Sequence, residues 1–373
     1  MNIALVHDYI KEYGGAERVL EALHELFPKA PVFTSVYCPS YLGPHAKRFA
    51  DWDIRPSWLQ YIPWKEKLIS PLRLLAPSVF AHMDFSNFDV VIVSATGAYE
   101  SNMIHKGTAL HVCYCHTPPR YLYGYATARN WKKNPIIRLV GERVNAVLRT
   151  VDKKASGNVD YFVANSQEVA SRINKFYQKT ATVIYPPVDT PQGKEIPGKK
   201  SYFITGGRLA AAKHIDIAVQ ACSTLHIPLK VFGKGFAGYG KTLRRIAGPT
   251  VEFVGEVSDE EKWTLLAEAR CFLFPSEDED FGILPVESMA SGTPVIAFRS
   301  GGVKETIIDS QTGLFFDELT EQSLTHTIQK FQRLPYQWDI ACKKQAQKFS
   351  KKRFQTEMQT CIKHALTAQR ENT

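Results

Sequence analysis

Two carboxylates eight positions apart, Glu279 and Glu287, bracket a Phe281-Gly282 pair, and earlier in the chain Arg208 and Lys213 follow a Gly206-Gly207 pair. A planar guanidinium fork and an ammonium point charge leaving one tight turn are suited to neutralising a diphosphate. Gly282 lets the backbone approach a bulky anion, and the free N–H groups of Ile283 and Leu284, at a helix start, point outward with the positive end of the helix dipole. Glu287, about one turn further on, can accept hydrogen bonds from two neighbouring hydroxyls of the kind a ribose offers. Glu279 precedes the helix and can reach past the phosphates to whatever they carry. This is chemistry for seating a phosphorylated sugar and stabilising a departing diphosphate.

The elements that must hold these residues read as doubly wound α/β. Residues 271–275 form an apolar run, an acidic loop follows, a short helix opens at Ile283, and a second strand at 293–297 ends in Gly301-Gly302. Ligands in such folds sit at the carboxyl ends of the strands, where the 277–282 loop falls. Residues 201–206 form a strand that delivers Arg208, and 229–232 and 251–254 repeat the figure of strand and glycine turn. The first half repeats the pattern, with a strand at 3–6, a Gly14-Gly15 turn, a helix with Val19, Leu20, Leu23, Leu26 and Phe27 on one face, and strands at 32–36, 89–94, 109–115 and 160–164. His116 follows the 109–115 strand directly and precedes Pro118-Pro119, a place for a functional side chain. Pro186-Pro187 and the polar stretch 190–200 mark a linker. The expected organisation is a first Rossmann-like domain over 1–189, a second over 190–350, and a terminal helix over 351–373. That helix carries Phe354, Met358, Cys361, Ile362, Ala365 and Leu366 at helical spacing, an apolar face that needs a partner.

The 373 residues are enough for two cores, and 44% hydrophobic with 22% charged residues is ordinary globular composition. A net charge of +9 favours an anionic partner. Seven cysteines without a CxxC pair, several inside apolar strands, predict free thiols in a reducing cytoplasm and no zinc site. The opening residues lack the basic start of a signal peptide, and no apolar run approaches the roughly 20 residues that span a bilayer, so any membrane contact is expected to be peripheral. Residues 129–154 carry eight basic against two acidic side chains, interleaved with apolar ones at helical spacing, and could lie on an anionic membrane or form a core helix with a solvated basic face. The aromatic-rich region 39–85 reads either as an acceptor-side excursion or as a covered loop feeding rings to the core.

The Glu-x7-Glu spacing of Glu279 and Glu287 around Phe281-Gly282, the Gly-Arg-Leu-x3-Lys string of residues 207–213, the Gly301-Gly302 turn and the Cys-His-Thr-Pro-x-Arg-Tyr string of residues 115–121 resemble the retaining GT-B glycosyltransferases of family 4, mannosyltransferase-like members in particular. His214 stands where many members have glycine. The resemblance implies a GT-B fold, two Rossmann-like domains facing each other across a deep cleft, with the last helix crossing back onto the first. It implies a retaining, metal-independent transfer of a hexose from a nucleotide diphosphate, GDP-mannose first, to a hydroxyl of a glycan or lipid-linked glycan precursor, with no cofactor beyond the nucleotide-sugar co-substrate. Arg208 and Lys213 would bind the diphosphate, Glu279 the sugar hydroxyls and Glu287 the ribose; His116 would approach the anomeric centre. Gly14 and Gly15 would face the donor diphosphate and help bind the acceptor side. Three other readings stay open. Asp278-Glu279-Asp280 formally matches the metal-binding Asp-x-Asp of the other large glycosyltransferase fold, although that fold has one nucleotide-binding domain. The same cradle could serve a nucleotide-sugar epimerase or a phosphorylase. A non-catalytic basic nucleic-acid-binding module would show a surface of stacked aromatics and cations instead of a cleft.

Overall fold

The computed structural model describes residues 1–127, 135–190, 201–335 and 337–371. The chain divides into two units, the first holding Met1–Gly124, the described residues of 135–187 and the terminal helix, the second holding the described residues of 125–133 and of Val188–Ser350. The first unit is built on seven strands, β1 (Ile3–His7), β2 (Val32–Thr34), β3 (Ile54–Pro56), β4 (Val90–Ala95), β5 (Leu110–Cys115), β6 (Tyr161–Ala164) and β7 (Ala181–Val183). All pair in parallel, in the order β3-β2-β1-β4-β5-β6-β7. β1, β4 and β5 are buried along their whole length, so they read as continuous apolar runs without alternation. The order reverses between β1 and β4, which makes the gap beyond their carboxyl ends the crevice of this sheet.

One face of the sheet is covered by helix Gly15–Leu26 and, beside it, by the terminal helix Lys351–Glu371. Phe354, Met358 and Ile362 of that helix pack with Val19, Leu20 and Leu23 over Leu5, Ile92 and Val112, and the Phe354 ring meets Tyr114 edge-on at 5.7 Å. Burying such side chains contributes about 1.5–3 kcal/mol each, so the last helix is part of the first unit's core. The other face holds Val79, Phe80, Phe85 and Tyr99 under the 39–85 region. Part of that region is a covered loop, since Leu59, Phe80 and Phe85 enter the core and Trp52 stacks on His24 with ring centroids 3.9 Å apart, while Trp58, Tyr61 and Trp64 stay exposed. Helix Pro135–Gly157 turns Asn145, Leu148, Asp152 and Ala155 inward and leaves Leu139 and Val147 outside. Residues 129–134 of the basic stretch, and 191–200 of the linker, lie outside the described residues.

The second unit carries β8 (Tyr202–Gly206), β9 (Leu229–Phe232), β10 (Val251–Gly255), β11 (Ala269–Phe274), β12 (Val295–Phe298) and β13 (Gly313–Phe316) in one parallel sheet, ordered β10-β9-β8-β11-β12-β13. The reversal here lies between β8 and β11. Gly206-Gly207-Arg208 leave the first of these strands and Pro275–Glu279 leave the second, so the sequence places its chemistry at the switch point. All seven cysteines are buried free thiols. Among the described residues no helix is long and apolar enough to cross a membrane.

Candidate active site

In the second unit the exit of β8 is a left-handed turn at Gly207, φ 105°, where a Cβ would stand 2.7 Å from Leu284 Cδ1. Glycine is favoured there because the left-handed φ strains any side chain, and the Leu284 side chain beside the turn belongs to the first turn of helix Ile283–Ala290. The phosphate-binding loop and the helix amides predicted from sequence are thereby brought side by side. Leu209 N donates to Lys234 O at 3.0 Å, and the Arg208 guanidinium lies 6.0 Å from the Phe236 ring centroid, so the turn after β9 backs the loop. A single 3₁₀ turn, Ala211–Lys213, then aims Lys213 at Glu279, and the two side chains form an ion pair. Ser276 Oγ donates to the same Glu279 oxygen at 2.8 Å, and Gly302 N donates to Glu279 O at 2.7 Å. His214, the departure from the family string, has φ 47°, a left-handed conformation that glycine adopts without strain, and its ring is 3.6 Å from Glu277 Oε2.

Glu287 is placed differently from its neighbours. It is only 1% exposed, and Lys262 of helix Asp259–Glu268, itself 7% exposed, donates to its Oε1 at 2.7 Å. Lys262 also reaches Asp259 Oδ1 at 3.2 Å. Sequence reasoning missed Lys262, because a lysine after Asp259-Glu260-Glu261 reads as one more solvated charge at a helix start. Among the described residues no group of three or more His, Cys, Asp or Glu is assembled as a metal site.

In the first unit His116 follows β5 at the crevice. Its Nε2 lies 2.9 Å from Ser94 Oγ, at the end of β4, and Ser94 Oγ lies 3.1 Å from His7 Nδ1, at the end of β1. Burial, reinforced by the neighbouring His7, lowers the His116 imidazole to about 3, which keeps it neutral at physiological pH. The His116 loop is fixed from both sides: Asn165 Nδ2 donates to His116 O at 2.9 Å, and Gly97 approaches so closely that a Cβ there would stand 2.5 Å from Thr117 O. Gly97 is held in turn by Asp8, fully buried, whose Oδ2 accepts from the backbone of Thr96, Ala98 and Tyr99 at 3.1–3.2 Å. Gly14 N donates to Glu17 Oε2 at 2.8 Å in a capping arrangement that sets the Gly14-Gly15 turn at the start of its helix. His7, Asp8, Ser94 and Glu17 were not singled out from sequence; the sign that could have found two of them is the switch from apolar to polar at the end of the 3–6 run, where His7-Asp8 begins.

Tyr121, the last residue of the His-Thr-Pro-Pro-Arg-Tyr string, donates to Glu100 Oε1 at 2.9 Å, and the Arg73 guanidinium sits 3.9 Å from its ring centroid. Glu100 is buried, and among the described residues its Oε2 has no hydrogen-bond partner. Burial is the main cause that raises its carboxyl to about 7, against the lowering effect of the Tyr121 hydroxyl. A carboxyl raised on folding contributes stability that is complete below the ordinary carboxylate range and is lost as pH rises through the folded value. Glu100→Gln should therefore match wild type in urea stability near pH 4.5 and exceed it by roughly 3 kcal/mol at pH 8. An equal difference at both pH values would show that the carboxyl stays ionised in the fold.

Comparison with known proteins decides the family. The family model described as Glycosyltransferase Family 4 matches residues 13–192, and the model described as Glycosyl transferases group 1 matches residues 189–353. The chain belongs to this glycosyltransferase family. Among the relatives of this glycosyltransferase, the alpha-1,3/1,6-mannosyltransferase ALG2 of Mus musculus is 25% identical over 86% of this chain and 85% of its own length. A GDP-mannose-dependent alpha-mannosyltransferase of Mycobacterium tuberculosis is 29% identical over 41% of this chain and 42% of its own. The chain spans about half the length of other curated relatives it matches, 50% and 48% in two cases. Anabaena HepE, solved in complex with UDP and glucose, superposes with a TM-score of 0.71 at 18% identity, covering 97% of this chain and 99% of HepE. That likeness shows the fold, GT-B.

Proposed function

We propose that this glycosyltransferase moves a hexose, mannose first, from GDP-mannose to a hydroxyl of a glycan or lipid-linked glycan precursor, with retention of configuration and without a metal ion. The observation that carries the reading is the convergence, at the switch point of the second unit, of Arg208, the Lys213–Glu279 pair and the start of helix Ile283–Ala290 beside Gly207. Arg208, Lys213 and the amides of Ile283 and Leu284 beyond Gly282 hold the diphosphate and stabilise the charge it gains as the C1–O bond breaks. Glu279 takes hydroxyls of the sugar, and Glu287, oriented by Lys262, takes the ribose. His116 meets the transferred sugar, with Gly14 and Gly15 serving the acceptor side. The acceptor oxygen bonds to C1 on the face the diphosphate leaves, and its proton passes to a phosphate oxygen, so the step balances without a protein nucleophile.

Mannose as the sugar is supported by the two mannosyltransferase relatives. Contact with an anionic membrane at its cytoplasmic face is supported by the exposed Trp58, Tyr61, Trp64 and Leu74 alongside Lys65, Lys67 and Arg73, and by the buried free thiols. A thermal-shift panel of GDP-, UDP- and ADP-sugars tests the donor. GDP-mannose at about 100 times its Kd should add about 2.7 kcal/mol; stabilisation by UDP-glucose but not GDP-mannose overturns the donor assignment. Transfer should persist in a chelator, and loss with chelator and return with manganese would overturn the metal-free mechanism. Turnover of the nucleotide sugar to an epimer without acceptor would point to an epimerase.

A further inference from the structure

Four polar side chains at the crevice of the first unit form one continuous line. Glu17 Oε1 stands 3.7 Å from His7 Nε2, His7 Nδ1 stands 3.1 Å from Ser94 Oγ, and Ser94 Oγ stands 2.9 Å from His116 Nε2. His7 and Ser94 are fully buried, Glu17 is 5% exposed, and among the described residues His7 Nε2 makes no hydrogen bond. The line follows from strand register, because β1 and β4 pair His7 with Ser94, and β4 and β5 pair Ala95 with Cys115, one residue before His116.

A serine hydroxyl has one proton. With each imidazole also carrying one, Ser94 must donate to one ring and accept from the other, so the tautomers of His7 and His116 are tied together. In one arrangement His7 carries its proton on Nε2, facing the Glu17 carboxylate; its bare Nδ1 accepts from Ser94, and Ser94 accepts from His116 Nε2–H. In the other, the lone pair of His7 Nε2 faces the lone pairs of the carboxylate inside the core. Like-signed charge density at that separation between two buried groups is unfavourable. We propose that Glu17, acting through His7 and Ser94, fixes His116 as the tautomer protonated on Nε2, with Nδ1 presented as a bare acceptor.

The consequence rests on the reading that His116 meets the transferred sugar. A neutral ring with a lone pair on Nδ1 accepts a hydrogen bond from a sugar hydroxyl and turns electron density, not an N–H dipole, toward a carbon that gains positive charge. The opposite tautomer would donate there. Glu17 also holds Gly14 N through its other oxygen, so the turn at Gly14-Gly15 and the proton on His116 are set by the same carboxylate. Glu17, His7 and Ser94 are thus positioning residues.

Nitrogen-15 NMR of the full chain at pH 8 tests this directly, with the His116 signals assigned by their loss in His116→Gln. The expected spectrum shows His116 with a pyridine-like Nδ1 and a protonated Nε2. Glu17→Gln keeps an oxygen for Gly14 N but turns an amide toward His7 Nε2, which must then accept, and each bond along the line reverses. The His116 shifts should interchange, with kcat lower by about tenfold, the equivalent of one hydrogen bond, and GDP binding unchanged. Ser94→Ala, which cuts the line between the rings, should give a mixture of tautomers. Wild-type His116 protonated on Nδ1, or shifts that stay put in both variants, overturns the proposal. Absence of hexose transfer by wild type would instead overturn the functional reading, and the spectra would still report the tautomer.

Discussion

Lys213→Ala is expected to lower kcat by about 10²–10³-fold, the cost of removing one preorganised donor from developing charge, while the chain stays folded. The side chain is 32% exposed and its partner Glu279 17%. An ion pair so placed contributes at most about 1 kcal/mol to stability, and Glu279 keeps the Ser276 hydroxyl after the lysine is gone. In the proposed transfer step the demand is larger, because the bridging oxygen of the diphosphate would gain a full charge as C1 departs and the ammonium lies in a loop already fixed by Leu209 and Gly207. An interaction that strengthens only as the leaving group departs lowers kcat more than it weakens donor binding. Calorimetric GDP affinity should therefore change far less than turnover. A Lys213→Ala enzyme within threefold of wild-type kcat would remove the residue from the mechanism.

Much of the molecule could be read before folding because its sheets are parallel and buried on both faces. Val90–Ala95, Leu110–Cys115 and Val295–Phe298 have no polar face to interrupt the apolar run, so strand, turn and helix follow in plain order. The arrangement of the residues proposed to hold phosphate was legible for a second reason. Arg208 and Lys213 leave one strand, and Glu279 and Gly282 leave another, so local spacing carries most of the arrangement. β3 was not legible: Ile54-Arg55-Pro56 is three residues long, ends in proline and lies at the sheet edge, where such a strand is tolerated. The line from Glu17 to His116 was hidden for a different reason, since its members meet only through strand order and register, which no local pattern encodes. The aromatic region 39–85 was ambiguous because tryptophan and tyrosine serve core and surface alike.

The Lys262–Glu287 pair is where the largest effect on stability is expected. Both side chains are nearly inaccessible, 8% and 1% exposed, and Glu287 sits in the helix proposed to hold the donor. Removing the lysine takes away the ammonium that donates to a buried carboxylate at 2.7 Å, so Lys262→Ala should cost about 3–5 kcal/mol, a fall on the order of 10 °C in the Tm of the second unit. If the pair served stability alone, Lys262→Met with Glu287→Leu would be a full remedy, because two buried charges exchanged for apolar side chains of similar volume are often neutral or stabilising. The double variant should indeed regain Tm. It should nonetheless bind GDP and GDP-mannose weakly, since the ribose loses the carboxylate proposed to take its hydroxyls, and binding that matched wild type would take the ribose role away from Glu287. The coupling runs the other way too: donor binding should raise the Tm of wild type and not of the double variant. A Lys262→Ala protein within 1 kcal/mol of wild type would mean that Glu287 does not depend on this lysine for its place in the core.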